Sequence, residues 1–137
     1  MFGLAVDRCG IGDLMATILI VDDEVFICIV AEVFVQELGH ETLAAGSITE
    51  ALAHLHSASA IDMLFTDIRF QSNKNGGFEL AQIGVRLRPK LRVLYTSGSS
   101  ATDDMRTLFV DGSHFLQKPY TQNQLQNSME MLFAATS

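Results

Sequence analysis

Basic residues are scarce in this chain of 137 residues: nine Lys and Arg stand against sixteen Asp and Glu, a net charge of −7. Binding to a nucleic-acid backbone needs clustered cations, so that class of function is excluded. The nearest approach to a basic patch, Arg86, Arg88, Lys90 and Arg92, reads as a solvated helix end, where cations suit the helix dipole. Cysteine is nearly absent. Cys9 and Cys28 match no metal-ligand spacing and are expected as reduced thiols of a cytoplasmic protein. No apolar run reaches the length of a membrane span. The opening Met1-Phe2-Gly3-Leu4 lacks the charged start and apolar core of a signal peptide. The histidines, His40, His54, His56 and His114, show no ligand spacing and are expected at or near the surface.

What is present is a regular alternation of apolar runs and helical patterns. Strands are expected at Thr17–Val21, Glu41–Ala45, Ile61–Thr66, Leu91–Thr96 and His114–Gln117. Helices are expected at Glu24–Leu38, closed by Gly39, and at Ser47–Ser57, where Ser47 and Glu50 have capping-box spacing. Phe78–Leu87 is a third, stopped by Pro89, and Ala101–Val110 a fourth, stopped by Asp111-Gly112. The last opens at the capping box Thr121/Gln124 and runs to about Ala134. Arg69–Gly76 is polar and reads as a loop. Hydrophobic content of 48% suits one domain with one core. The order (βα)5 implies a doubly wound five-stranded parallel sheet covered on both faces. Residues 1–15 fall outside the pattern and are expected as a loosely held extension, with the domain at 16–137.

Polar residues collect where these strands end. Asp22 and Asp23 close the first, Asp67 the third, Ser97 the fourth, and Lys118 follows the fifth. In a parallel sheet these ends meet at one rim, where open α/β sheets bind ligands. Three carboxylates there repel one another unless a cation joins them, and a hard divalent ion such as Mg²⁺, with a phosphate as co-ligand, fits oxygen ligands. The lysine and the hydroxyl can hold phosphate oxygens. Taken singly, the aspartates also read as a turn, a helix N-cap and a strand end, and Lys118 as a surface lysine.

The motifs Ile18-Leu19-Ile20-Val21-Asp22-Asp23-Glu24, Phe65-Thr66-Asp67-Ile68, Val93-Leu94-Tyr95-Thr96-Ser97-Gly98 and Phe115-Leu116-Gln117-Lys118-Pro119 together carry a resemblance. From about Ala16 onward the chain resembles the receiver domain of bacterial two-component response regulators. The resemblance implies a flavodoxin-like fold and a phosphoacceptor signalling domain of a two-component system or phosphorelay. Asp67 would take a phosphoryl group from a histidine kinase or phosphotransfer protein. Asp22, Asp23, Asp67 and the backbone carbonyl of Arg69 would hold Mg²⁺. Ser97, Gly98 and Lys118 would receive the phosphate, and Ser97 with Phe115 would form the switch. Phe115 also reads as plain core. A cis peptide before Pro119 is usual in the family. Beyond accepting and losing a phosphoryl group the domain would be no enzyme.

Two features depart from the family. Many receivers read Asp-x-x-Met-Pro-Gly-x-x-Gly after the acceptor; here Phe70-Gln71 replaces Met-Pro, and Gly77 falls two positions late. Arg69 could touch phosphate, pair with an acidic partner or point to solvent. In the first helix, periodicity puts Phe26, Ile27, Val30, Phe34 and Leu38 in the core, yet Val25, Ile29 and Val33 form a second apolar stripe. Its cover would be residues 1–14, a second copy in a homodimer, or the phosphodonor. Two other functions compete: a receiver-fold interaction module that is not phosphorylated, and a Mg²⁺-dependent phosphohydrolase. The second is disfavoured, because Arg69 stands where such enzymes need a second acid.

Overall fold

The three inner strands take their places because their side chains are buried on both faces, as the middle of a sheet covered on both sides requires. The computed structural model describes residues 15–134. Five strands, β1 (Thr17–Val21), β2 (Glu41–Ala45), β3 (Met63–Asp67), β4 (Arg92–Ser97) and β5 (His114–Gln117), pair in parallel in the order β2-β1-β3-β4-β5. They alternate with α1 (Val25–Glu37), α2 (Ile48–His56), α3 (Gly76–Leu87), α4 (Asp103–Arg106) and α5 (Gln122–Ala134). The register sets Val21 opposite Thr66, Asp67 opposite Thr96 and Ser97 opposite Gln117, so the polar strand ends lie side by side.

The alternation along β1 divides the core. Leu19 and Val21 face one layer with Leu64, Val93, Tyr95, Leu55 and Leu80. Ile18 and Ile20 face the other with Met63, Phe65, Leu94, Val35, Leu125 and Leu132. The expected caps form. Ser47 Oγ accepts from Glu50 N, and Thr121 and Gln124 exchange side-chain bonds with each other's backbone N–H. Glu50 reaches one residue further back than a capping box predicts, to Gly46 N. Gly39 sits at φ +97°, the left-handed region that ends a helix.

Three expectations need correction. The sequence pattern predicts a fourth helix over Ala101–Val110, but α4 is a single turn. Beyond Arg106 the chain tightens: Leu108 N and Phe109 N bond three residues back, and Val110 N donates to the buried Tyr95 hydroxyl at 3.1 Å instead of continuing the helix. In α1 the face against the sheet carries Cys28, Ala31 and Val35, with Phe34 and Leu38 half-buried. Phe26 and Val30, expected in the core, are 78% and 39% exposed. Small residues let this helix approach the sheet closely, and a helix apolar nearly all round gives periodicity no direction to choose. The Arg86–Arg92 cluster is also more than a solvated end. Arg88 caps α2 through the carbonyls of Leu55 and Ser57, and Arg92 bonds Leu132 O and lies over the Phe133 ring.

Val25, Ile29 and Val33 stay outside the core, at 71%, 49% and 44% exposure. The N-terminal extension, one candidate cover for them, lies outside the described residues, as does Cys9. Cys28 is a free buried thiol, and burial pushes it up to about 11. No helix among the described residues is long and apolar enough to cross a membrane.

Candidate functional site

Asp22 and Asp23 leave β1 at the top of the sheet, before the chain turns into α1. Asp22 is buried and uses both oxygens. Its Oδ1 accepts from Glu24 N at 2.9 Å, shaping the turn, and its Oδ2 accepts from Lys118 Nζ at 2.8 Å. One side chain therefore serves both the turn and the ion pair with Lys118. Asp67 ends β3 one strand away, 7% exposed, with Oδ2 3.4 Å from the same Nζ. Carboxylate oxygens of Asp22, Asp23 and Asp67 all lie within 4.8 Å of one another.

One lysine cannot balance three such carboxylates. Burial pushes Asp67 up to about 6, against the pull of Lys118 and with the help of the Asp22 charge. Burial alone would lower Lys118, but its hydrogen bond to Asp22 and the charges of Asp67 and Asp22 outweigh that and hold it above its ordinary value. Three hard oxygen donors this close together suit a divalent cation, which removes the repulsion between them without a proton.

Ser97 and Gly98 follow from β4. Ser97 is buried, and its Oγ accepts from Ser99 N at 3.2 Å, while its carbonyl accepts from Lys118 N, joining the ends of β4 and β5. Thr96 points to the other face, as strand alternation requires, and donates to Leu116 O. The Lys118–Pro119 peptide is cis. Phe115, half-buried, packs on the same sheet face as Tyr95 in an aromatic group with Phe109 and Phe78. Arg69 is exposed.

Three contributors to the site are not evident from the sequence. Gln71 N donates to Asp23 Oδ2 at 2.9 Å. Gly77 lies against the end of β3: its N–H bonds Ile68 O, and a Cβ there would clash with Asp67 O. Tyr120 joins Phe26, Ile27, Val30, Phe34, Gly98, Lys118 and Pro119 around a largely apolar groove of about 450 Å³ that opens beside the aspartates. The only sequence signals are the shifted glycine and the lost Met-Pro pair.

Residues 18–130 match the response regulator receiver domain family. The chain belongs to that family. A response regulator receiver protein from Sinorhizobium medicae is 31% identical, with 90% of this chain and 98% of that chain covered and a TM-score of 0.82. NtrX from Brucella abortus is 27% identical over 88% of this receiver domain and 26% of its own chain, at a TM-score of 0.75. Chemotaxis protein CheY4 from Vibrio cholerae, at 20% identity, shares the fold, with a TM-score of 0.78 over 87% of this chain and 99% of its own. The receiver domain is thus a module of two-component signalling, with an aspartate cluster that could hold a metal ion.

Proposed function

We propose that this receiver domain is a cytoplasmic phosphoacceptor of a two-component system or phosphorelay, with Asp67 as acceptor and Mg²⁺ as cofactor. The observation that carries the reading is the convergence of Asp22, Asp23 and Asp67 within 4.8 Å, with Lys118 bridging Asp22 and Asp67. An Asp67 oxygen attacks the phosphorus of a phosphohistidine. The new O–P bond forms as the P–N bond breaks, and the imidazole leaves with that electron pair and takes up a proton. The work left to the protein is positioning and charge, as in phosphoryl transfer generally. Mg²⁺ bound at Asp23, at Asp67, at the Arg69 carbonyl and through water at Asp22 would supply positive charge beside the phosphoryl oxygens. Lys118 pairs with one of those oxygens. Ser97, freed from Ser99 N, donates its hydroxyl to another, and Gly98 leaves room for the group. Phe115 follows Ser97 inward and changes the surface shown to partners.

The donor is a histidine kinase or phosphotransfer protein. Its docking surface is the exposed stripe Val25, Ile29 and Val33 of α1, continued by Phe26, Val30 and the groove that reaches Lys118. Exposed apolar side chains of this extent on a small domain mark an interaction site. Beyond gaining and losing the phosphoryl group, the domain turns over no substrate.

The test is incubation with acetyl phosphate, followed by intact mass. Wild type should gain one phosphoryl group only with Mg²⁺ or Mn²⁺, and Asp67→Asn should gain none. Equal labelling of the Asn variant would refute the acceptor assignment. No labelling of wild type at saturating donor and Mg²⁺ would favour an interaction module that is not phosphorylated.

A further inference from the structure

Asp23 is held from a distant part of the chain. Its Oδ2 accepts a hydrogen bond from the backbone N–H of Gln71 at 2.9 Å, across 48 positions of sequence. Gln71 stands four residues after Asp67, where receivers of the Met-Pro pattern carry proline. Proline has no N–H, so this bond is open to the present chain and closed to those.

The surroundings make the bond consequential. Asp23 is half-exposed and lies among two other carboxylates, while the bridging lysine is engaged by Asp22 at 2.8 Å and Asp67 at 3.4 Å. Like-charge repulsion drives a half-exposed carboxylate out toward water. The Gln71 amide opposes that movement and leaves Oδ1, and a further lone pair of Oδ2, open to a cation. The amide is itself braced. Phe70 and Asn73 exchange backbone hydrogen bonds at 3.0 and 3.1 Å, the Phe70 ring is buried, and Asn73 Oδ1 accepts from Asn75 N.

We infer that the Gln71 backbone N–H is a positioning group for the metal site, holding the Asp23 carboxylate in its cation-binding orientation before the cation arrives. The inference rests on the reading of the three aspartates as a Mg²⁺ site. It gives the altered β3–α3 loop a purpose, since the Phe70–Asn73 brace carries an amide to the metal site in place of a proline.

Two substitutions at one position separate backbone from side chain. Gln71→Ala keeps the N–H, and Gln71→Pro removes it. Mg²⁺ affinity is read by titration calorimetry, and Mn²⁺ affinity by loss of the free-ion electron paramagnetic resonance signal. Gln71→Ala should match wild type. Gln71→Pro should bind about tenfold more weakly, the scale of a lost charge-assisted hydrogen bond discounted for solvent. Equal affinity of Gln71→Pro and wild type overturns this inference alone, as does equal weakening by Gln71→Ala. Wild type that binds neither ion overturns the metal reading together with it. A measurement independent of folding of the proline variant is amide hydrogen exchange of wild type in EDTA. The Gln71 N–H should be protected and should lose that protection in Asp23→Ala, and equal exchange rates in the two proteins overturn the inference.

Discussion

Asp67 lies buried beside like charge, and its proton affinity makes a measurable demand on the fold. Its carboxyl titrates at about 6 in the folded domain against an ordinary 3.8. The folded state thus holds that proton more tightly than the unfolded chain does. The stability linked to it is fully present below about pH 4 and is lost as pH rises through about 6. The gap between those two values bounds the loss at roughly 3 kcal/mol. In metal-free buffer, Asp67→Asn should therefore melt higher than wild type at pH 7.5, by several degrees more than it does at pH 5. A gap between the two proteins that is the same at both pH values would refute the assignment. Gly77 makes a steric demand instead. Its Cα backs onto Asp67 O and Ile68 Cα, backbone atoms that cannot swing aside. Gly77→Ala should cost about 3 kcal/mol, read by urea denaturation, because overpacking against rigid backbone displaces the end of β3. A loss under about 1 kcal/mol would show that α3 can shift to admit the methyl.

At the scale of elements, legibility follows how strongly local chemistry speaks. The inner strands are readable because a parallel sheet buried on both faces demands near-continuous apolar runs, and the rim residues because charge at the end of such a run has few explanations. The cluster of Asp22, Asp23, Asp67 and Lys118 accordingly assembles from residues that stand out in the sequence. The single turn of α4 is not readable, since the segment after it tightens to bonds three residues back and then gives Val110 N to the Tyr95 hydroxyl, fifteen residues away. The Gln71 contact is hidden for the same reason, a backbone donor having no signature in side-chain identity. The core face of α1 escapes periodicity because the helix is apolar on nearly every side, yet Val25, Ile29 and Val33 lie exposed among the described residues, on the second stripe the sequence shows. Ile29, half-exposed in the middle of the stripe, is the residue to change. Ile29→Glu should alter stability by less than about 0.5 kcal/mol, as surface substitutions do. It should slow phosphoryl transfer from the cognate donor tenfold or more and leave labelling by acetyl phosphate at the wild-type rate. Loss of both activities would mean the site itself is disturbed, and loss of neither would place donor docking elsewhere.

Across the whole molecule, the aspartate cluster is a junction. Asp22 and Asp23 come from the end of β1 and Asp67 from the end of β3, Lys118 follows β5, and Gln71 ties in the loop before α3. In the metal-free fold this junction gathers excess negative charge, and a cation bound there acts on all of those segments at once. Binding to the native state alone adds RT ln(1 + [L]/Kd), about 1.4 kcal/mol at ten times Kd. For a domain of this size that corresponds to a rise in melting temperature of roughly 4–6 °C. Millimolar Mg²⁺ should produce that rise at pH 7.5, and Na⁺ at equal ionic strength should not. Asp23→Ala should abolish the response while its own melting temperature in EDTA equals or exceeds that of wild type, because the relief of like-charge repulsion offsets the lost bond to Gln71. A wild-type protein that melts identically in EDTA and in saturating Mg²⁺ would remove the cation from the site. An Asp23→Ala protein that melts well below wild type in EDTA would show that this carboxylate serves the metal-free fold rather than the ion.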